Sequence, residues 1–191
     1  MNRSISGTAC ILAAISVLVL PLQWVVAVLI AATIHELCHY LAVIAVGGQV
    51  HFLKIGSKGT VMEIGCLTQY QELICAIAGP AGSMMLFALY PLFPRTALCA
   101  LVQGCYNLLP VYPLDGGRVL RCIVNILFPP HVAEYICNTV KWIVGLTVFI
   151  CGIVGTFRYH LGIIPILAGG VLLGKIFSGK IPCIADKLAV Q

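Results

Sequence analysis

The sequence has few charged residues. They make up 9% of its 191 positions, whereas a soluble domain usually carries about 25%. It also has no pair of cysteines in the C-x-x-C spacing, and most of its ten cysteines lie in apolar runs. These scarcities exclude a disordered chain, a nucleic-acid-binding protein, an ordinary soluble enzyme and a disulfide scaffold. What is present is 61% hydrophobic residues and a mean hydropathy of +1.07, which is typical of a helical membrane protein.

The apolar runs predict an all-α polytopic membrane protein with about six transmembrane helices. The third run contains Gly79-Pro80-Ala81-Gly82, where we expect the helix to open. The first run also fits the apolar core of a signal peptide, but no small-residue cleavage site and polar mature domain follow it. The predicted spans are Thr8–Leu20, Trp24–Val46, Glu72–Leu92, Thr96–Leu109, Val132–Phe157 and Leu161–Phe177.

The distribution of Lys and Arg predicts the orientation of the chain. Six spans place both termini on one side of the membrane, and basic residues are enriched on the cytoplasmic side. We therefore expect an integral protein of a bacterial cell membrane, embedded in the lipid bilayer, with both termini cytoplasmic. Only Arg95 and Arg158 fall on the opposite side, whereas the terminal side carries Arg3, Lys54, Lys58, Arg118, Arg121, Lys175, Lys180 and Lys187.

The segment between the second and third spans is neither apolar nor helical in pattern. Side chains alternate over Val50–Ile55, the run Gly56-Ser57-Lys58-Gly59 is a turn signal, and Thr60–Ile64 can return as a second strand. Since an isolated hairpin is marginally stable in water, we expect a β-hairpin over about residues 48–65 that leans on the membrane surface or on the helices. It is either a plain cytoplasmic connector or an edge that pairs with an extended substrate.

The second span contains the H-E-x-x-H pattern, as His35-Glu36-Leu37-Cys38-His39. On a helix the two histidines are one turn apart and about 40° apart in angle, so both imidazoles can meet one metal ion. Zinc lowers the pKa of a bound water toward 7, and Glu36 can take the proton of that water. The structural alternative is a pair of buried histidines that hydrogen-bond to the backbone, with Glu36 paired to an arginine.

A catalytic zinc ion needs a third protein ligand and an open position. We favour Asp115, because Pro110 and Pro113 break the helix before it, and non-helical backbone at membrane depth is tolerated where it lines a cavity or packs on protein. The alternative for Asp115 is an N-cap of a helix over Gly117–Phe128. The other acidic and histidine side chains considered are Glu63, Glu72, Glu134, His131, His160 and Asp186.

Three stretches together resemble the site-2 protease family of intramembrane zinc metalloproteases. They are HELCH at 35–39, AGPAGS at Ala78–Ser83 and NLLPVYPLDGGR at Asn107–Arg118, and the resemblance covers roughly Trp24–Phe128. The resemblance implies one Zn²⁺ held by His35, His39 and Asp115, with Glu36 as the general base. It also implies that Asn107 lies near the substrate chain. Family members often carry Asn where this chain has Ser83.

The same resemblance suggests the organisation and role of the chain. We expect one membrane-embedded metalloprotease domain over residues 1–191, with its catalytic core at about 24–128 and accessory helices at 129–178. The cytoplasmic-facing site and the first-span hairpin look like the branch that contains stage IV sporulation protein FB. That implies sporulation and regulated intramembrane proteolysis, with a membrane-tethered pro-sigma or anti-sigma factor as substrate and a regulatory membrane protein as a further partner.

Two other function classes fit parts of the pattern. A transporter or channel for metal ions or protons would also bury histidine and aspartate within the membrane. Glu36 distinguishes the two, because a transporter has no need for a glutamate beside the first histidine of this motif. A catalytically silent membrane adaptor would need a broken motif, and the motif is intact.

Overall fold

The computed structural model describes residues 21–48, 50–56, 59–64, 67–159 and 162–178. For residues 50–56, 59–64, 159, 164, 175 and 178 only the backbone is described. The predicted first span, Thr8–Leu20, lies outside the described residues. The elements are helix α1 (Leu22–Ala45), strands β1 (Val50–Gly56) and β2 (Gly59–Ile64), and helices α2 (Gln69–Phe87), α3 (Pro94–Asn107), α4 (Asp115–Leu127), α5 (Pro130–Tyr159) and α6 (Ile164–Ser178).

The contacts divide the chain into two compact units, Met1–Asn107 and Leu108–Gln191. The first unit holds α1, the two strands, α2 and α3, and its three helices pack on one another. The second unit holds α4, α5 and α6. The single domain expected from the sequence stays a prediction.

Helix α1 buries the face that carries its two histidines. Its buried residues recur every four positions, which is one helical face, and its large apolar side chains, such as Leu29 and Leu41, are exposed. The helix ends at Ala45 because Gly47 takes a left-handed backbone conformation (φ +77°) and its N–H bonds to the carbonyl of Ile44 at 3.0 Å. The buried residues are Ala27, Ala31, His35, His39 and Val43.

Helix α2 is continuous, so the expectation that it opens at Gly79-Pro80-Ala81-Gly82 is wrong. Pro80 has no N–H, so one backbone hydrogen bond of the helix is missing. Packing holds the helix together at this point, since Gly79, Pro80 and Gly82 are all buried. At its start Thr68 and Gln71 form a capping box. The Gln71 amide also donates to the carbonyl of Val46 at 3.0 Å, which ties the beginning of α2 to the end of α1.

The segment that alternates in the sequence forms two antiparallel strands. β1 and β2 pair from Gly56 with Gly59 through Phe52 with Glu63. An irregularity between Val50 and Phe52 then leaves His51 without an opposite residue before Val50 pairs with Ile64. The sheet has these two strands alone among the described residues, so each strand has an outer edge that its partner does not cover.

In the second unit α5 and α6 form a closely packed helix pair. A Cβ added at Gly152 would lie 2.6 Å from the carbonyl oxygen of Pro165, and one at Gly169 would lie 2.9 Å from the Cα of Phe149. Helix α5 begins at Pro130, where the missing N–H of proline costs nothing. The absence of side chains at these glycines therefore brings the two helix backbones together.

Two of the described helices are long and apolar enough to cross a membrane, α1 over Leu22–Ala45 and α5 over Pro130–Arg158. Helix α5 also has exposed apolar side chains, such as Ile143 and Phe157. Exposed apolar surface of this extent marks contact with lipid or protein. The six spans expected from the sequence are not confirmed, because the remaining described helices are shorter or less apolar.

Candidate metal centre

The two histidines of the motif meet inside the first unit. His35 is 1% exposed and His39 is 8% exposed, and both lie on the buried face of α1. Their Nε2 atoms are 3.3 Å apart, and their rings are nearly perpendicular, at 84°. The helical spacing of the motif thus directs one nitrogen of each ring to the same point.

The opposite nitrogen of each ring is held by helix α2. His39 Nδ1 lies 2.7 Å from the backbone carbonyl oxygen of Cys75, and His35 Nδ1 lies 2.9 Å from the hydroxyl oxygen of Ser83. A carbonyl oxygen can only accept a hydrogen bond, so the proton of the neutral His39 ring is on Nδ1 and the lone pair is on Nε2. This arrangement is typical of metal-binding histidines, whose second nitrogen donates to a carbonyl or a carboxylate.

The contact with Asn107 indicates which nitrogen of His35 carries the lone pair. The Asn107 amide nitrogen Nδ2 lies 3.0 Å from His35 Nε2, and an amide nitrogen can only donate. The lone pair of His35 is therefore on Nε2, and its Nδ1 donates to the Ser83 hydroxyl. The last residue of α3 is thus brought against the histidine pair, where its amide can also reach a bound group.

The geometry of the two rings fits a divalent cation. Two imidazole nitrogens bound to one tetrahedral zinc ion at 2.0–2.1 Å are about 3.3 Å apart, which is the separation of the His35 and His39 Nε2 atoms. The buried pair of imidazoles therefore fits zinc in the spacing of its nitrogens and in the kind of donor atom.

Close approach of α2 to α1 depends on two glycines. A Cβ at Gly79 would overlap the Nε2 atom of His39, and a Cβ at Gly82 would overlap the Sγ atom of Cys38. The AGPAGS stretch thus lets α2 reach the imidazoles with its carbonyl and hydroxyl groups. Glu36 is half-buried on α1, directly after His35.

Asp115 belongs to the second unit. It is 9% exposed and is the first residue of α4. Leu114, with an extended backbone (φ −70°, ψ 162°), occupies the N-cap position, and its carbonyl accepts the bond from the N–H of Arg118. The alternative that Asp115 caps a helix over Gly117–Phe128 is therefore wrong, since the helix begins two residues earlier. A guanidinium nitrogen of Arg118 lies 3.9 Å from the Asp115 carboxylate.

Backbone packing fixes the non-helical segment before Asp115. A Cβ at Gly116 would overlap the carbonyl of Leu108 and come within 2.6 Å of the carbonyl of Leu109, and one at Gly117 would overlap the backbone of Val111 and Tyr112. The Tyr112–Pro113 peptide bond is cis. The glycine pair after Asp115 therefore lets the segment fold back against the first turn of α4.

The remaining acidic and histidine candidates lie in different environments. Glu72 is buried in the first turn of α2, whereas His131 and Glu134 are exposed at the start of α5. The side chains of Glu63, His160 and Asp186 lie outside the described part of the chain. Ser83 was not expected as a histidine partner, and the structural alternative expected backbone partners without identifying the Cys75 carbonyl. Ser83 lies in a motif that the sequence singles out, but a carbonyl group leaves no signal in a sequence.

Comparisons with known proteins find two relatives that are named zinc metalloproteases. No known protein-family profile matches the chain. A zinc metalloprotease of Methanocaldococcus jannaschii is 28% identical over 110 residues, which are 50% of this chain and 32% of that protein. A protein of Synechocystis provisionally named a zinc metalloprotease is 36% identical over 106 residues, which are 47% of this chain and 28% of that protein. The chain thus spans about a third or less of the length of these curated relatives.

The fold has a counterpart among solved structures. It is similar to that of a site-2 protease from Methanocaldococcus jannaschii, with a TM-score of 0.62. The two chains are 18% identical, and the superposition covers 91% of this chain and 88% of the other. At this level of identity the likeness establishes a shared fold.

Proposed function

We propose that this chain is an intramembrane zinc endopeptidase of the site-2 protease family and that it cuts a membrane-tethered protein. The observation that carries the proposal is the buried pair of His35 and His39 Nε2 atoms, 3.3 Å apart, on a helix in which Glu36 directly follows His35. The relatives named zinc metalloprotease support the metal and the reaction class, and the site-2 protease structure supports the fold.

The ligand set that we propose is His35, His39 and Asp115. Each of these side chains is buried and offers one ligand atom of a kind that zinc binds. Three protein ligands leave one position open, as catalytic zinc sites require. The short N-terminal turn of α4, held by the glycine pair, would present the carboxylate of Asp115 on a rigid element.

The chemistry divides between the metal and the protein. When bound, zinc supplies Lewis acidity, which polarises a carbonyl group and makes water acidic enough to attack near neutral pH. Glu36 accepts the proton of the attacking water and returns it to the leaving amine. Asn107 donates its amide to the carbonyl oxygen or to the backbone of the substrate. Its place beside His35 Nε2 supports this role.

The substrate class follows from where the site lies. The histidines are on the inward face of a helix whose outward face is apolar along its length, so a polypeptide that reaches them is itself held in the membrane. A helical segment hides its amide groups, and it must become extended before attack. We propose that the outer edge of β1 or β2 pairs with such an extended segment, and that the substrate is a regulatory protein.

The test uses the purified full chain and its Glu36→Gln variant. Zinc content is measured by elemental analysis, and cleavage is measured on gels with a panel of tagged single-span proteins in detergent and in liposomes. We expect one zinc per chain in both proteins and cleavage by the wild type alone, with a loss of at least about 100-fold in the variant. Glu134→Gln, an exposed carboxyl far along the sequence, is the matched control and should cleave normally.

Two results would contradict the proposal. One is a wild-type protein that binds no zinc under conditions in which it is folded. The other is zinc uptake into proteoliposomes that Glu36→Gln leaves unchanged, with no cleavage of any single-span protein, since that outcome favours a transporter.

A further inference from the structure

The two histidines are oriented by groups of different kinds. His39 Nδ1 donates to a backbone carbonyl, that of Cys75, at 2.7 Å. His35 Nδ1 lies 2.9 Å from a side-chain hydroxyl, that of Ser83. A substitution at position 75 keeps the carbonyl, whereas a substitution at position 83 removes the hydroxyl. The partner of His35 Nδ1 is therefore set by the identity of one side chain.

The Asn107 amide, which can only donate, places the lone pair of His35 on Nε2, and the Ser83 hydroxyl accepts the hydrogen bond from the Nδ1–H that remains. A neutral imidazole has one N–H, and the ring binds a metal through the other nitrogen. With Ser83 as acceptor the Nδ1–H is hydrogen-bonded, and Nε2 keeps its lone pair toward His39. Without that acceptor a buried Nδ1–H loses its hydrogen bond, which is costly in a site this closed to water. The ring then loses the contact that holds its plane, and it can turn so that the Nε2 lone pair no longer points toward His39.

Packing leaves space at position 83 for a small side chain only. Ser83 is 1% exposed and lies between α1 and α3. A Cβ added at Gly104 of α3 would come within 2.9 Å of the Ser83 Cβ. The glycine at 104 therefore makes room for Ser83, and the enclosure keeps the hydroxyl beside His35.

We propose that Ser83 is a positioning residue that holds His35 in its metal-binding orientation. The proposal rests on the proposed zinc site. Loss of a hydrogen-bonding partner of a metal-binding histidine typically lowers metal affinity 10–100-fold. Ser83→Ala should therefore weaken zinc binding by about that factor while the protein stays folded, because alanine is smaller than serine and adds no atoms to the enclosure.

The experiment measures zinc affinity of the purified full chain by competition with a chromophoric chelator. It compares the wild type with Ser83→Ala, Ser83→Thr and Cys75→Ala, and thermal unfolding of the metal-free proteins is recorded alongside. Ser83→Thr keeps the hydroxyl but adds a methyl group to a tightly packed position, so it should keep most of the zinc affinity while lowering the unfolding temperature. Cys75→Ala removes a buried side chain from the same helix but keeps the carbonyl that holds His39, so it should lower stability and leave zinc affinity unchanged.

The absorption spectrum of the Co²⁺-substituted protein gives a readout that a change in stability does not produce. We expect the visible ligand-field bands of the Ser83→Ala protein to shift or weaken relative to those of the wild type, and those of Cys75→Ala to stay the same. Equal zinc affinity and equal spectra in Ser83→Ala and the wild type would overturn the role of Ser83. A wild type that binds no zinc, or that binds it equally after His39→Ala, would instead overturn the proposed zinc site.

Discussion

The imidazole of His39 occupies the space that a side chain at position 79 would need. A Cβ built on Gly79 would overlap His39 Nε2 and lie 2.6 Å from its Cε1. The backbone of α2 thus passes directly over the ring whose Nδ1 it holds through the carbonyl of Cys75. One helix both sets the proton position on this ring and limits where the ring can move.

Gly79→Ala should therefore displace the His39 ring and abolish zinc binding. The added methyl group can be accommodated only if the imidazole or the helix moves, and overpacking of this kind costs about 1–3 kcal/mol of stability. Zinc content after dialysis and thermal unfolding in detergent measure the two effects.

Gly82→Ala is the matched control for that substitution. It adds the same methyl group to the same helix face one turn later, but the overlap is with the thiol of Cys38. We expect a similar loss of stability with zinc retained. Equal retention of zinc in both variants would show that the position of the His39 ring does not limit metal binding.

Asp115→Asn should lower zinc affinity by more than about 100-fold. Loss of a residue that only hydrogen-bonds to a metal ligand costs up to about 100-fold, and loss of a ligand should cost more. Asparagine keeps the size of the side chain and loses the charge that binds the metal. If Asp115 acts only as an acidic residue in the first turn of α4, its loss costs about 0.3–1 kcal/mol of helix stability and no zinc. Zinc competition and thermal unfolding of the same samples separate the two roles.

The glycine pair after Asp115 predicts a strong effect on stability in the second unit. Alanine at Gly116 or Gly117 would overlap backbone atoms of residues 108–112, which cannot move aside as a flexible side chain can. We expect each substitution to cost 3 kcal/mol or more, at or above the top of the range of about 1–3 kcal/mol for overpacking. This loss of stability is measured as a lower yield of folded protein in size-exclusion chromatography and as a lower unfolding temperature.

Gly170→Ala in α6 is the control, because a Cβ there meets no atom within 4 Å. Alanine is the better helix former by about 0.5–1 kcal/mol, so this variant should be as stable as the wild type or more so. Comparable stability of Gly116→Ala and Gly170→Ala would contradict the packing described for the segment before α4.

The sequence predicted the helices and the histidine pair because each depends on local pattern. The spacing of His35 and His39 fixes their common face on any α-helix, and the predicted spans fall within a few residues of α1, α3, α5 and α6. The course of α2 through Pro80 could not be predicted in this way. A proline lowers local helix preference, and packing against α1 and α3 outweighs it.

Partners contributed by the backbone or by distant side chains could not be predicted either. The hydrogen bond from His39 to the Cys75 carbonyl depends on how closely two helices approach, and no residue type marks it. The start of α4 at Asp115 was missed for a related reason, since a Gly-Gly pair disfavours a helix locally. Here the glycines are needed for contact with residues 108–112.

The register of the hairpin predicts which backbone groups an extended substrate can reach. Two residues separate Gly56 from Gly59, and the pair that closes a two-residue connection exchanges hydrogen bonds. Alternation then directs the N–H groups of Lys54 and Phe52 toward β2 and those of Leu53 and Ile55 toward the outer edge of β1. Proline at Leu53 should therefore block the outer edge and leave the pairing with β2 intact.

Proline at Lys54 is the contrasting variant, because it removes a hydrogen bond between β1 and β2. If β1 receives the substrate, Leu53→Pro should slow cleavage of a single-span protein by 10-fold or more with zinc content and unfolding temperature unchanged. Lys54→Pro should also slow it, but with loss of hairpin protection in hydrogen exchange. Normal cleavage by Leu53→Pro, with an intact hairpin in hydrogen exchange, would assign the outer edge of β1 no part in substrate binding. The outer edge of β2 would then be the remaining part of the hairpin that could pair with the substrate. Met62→Pro tests that edge in the same way.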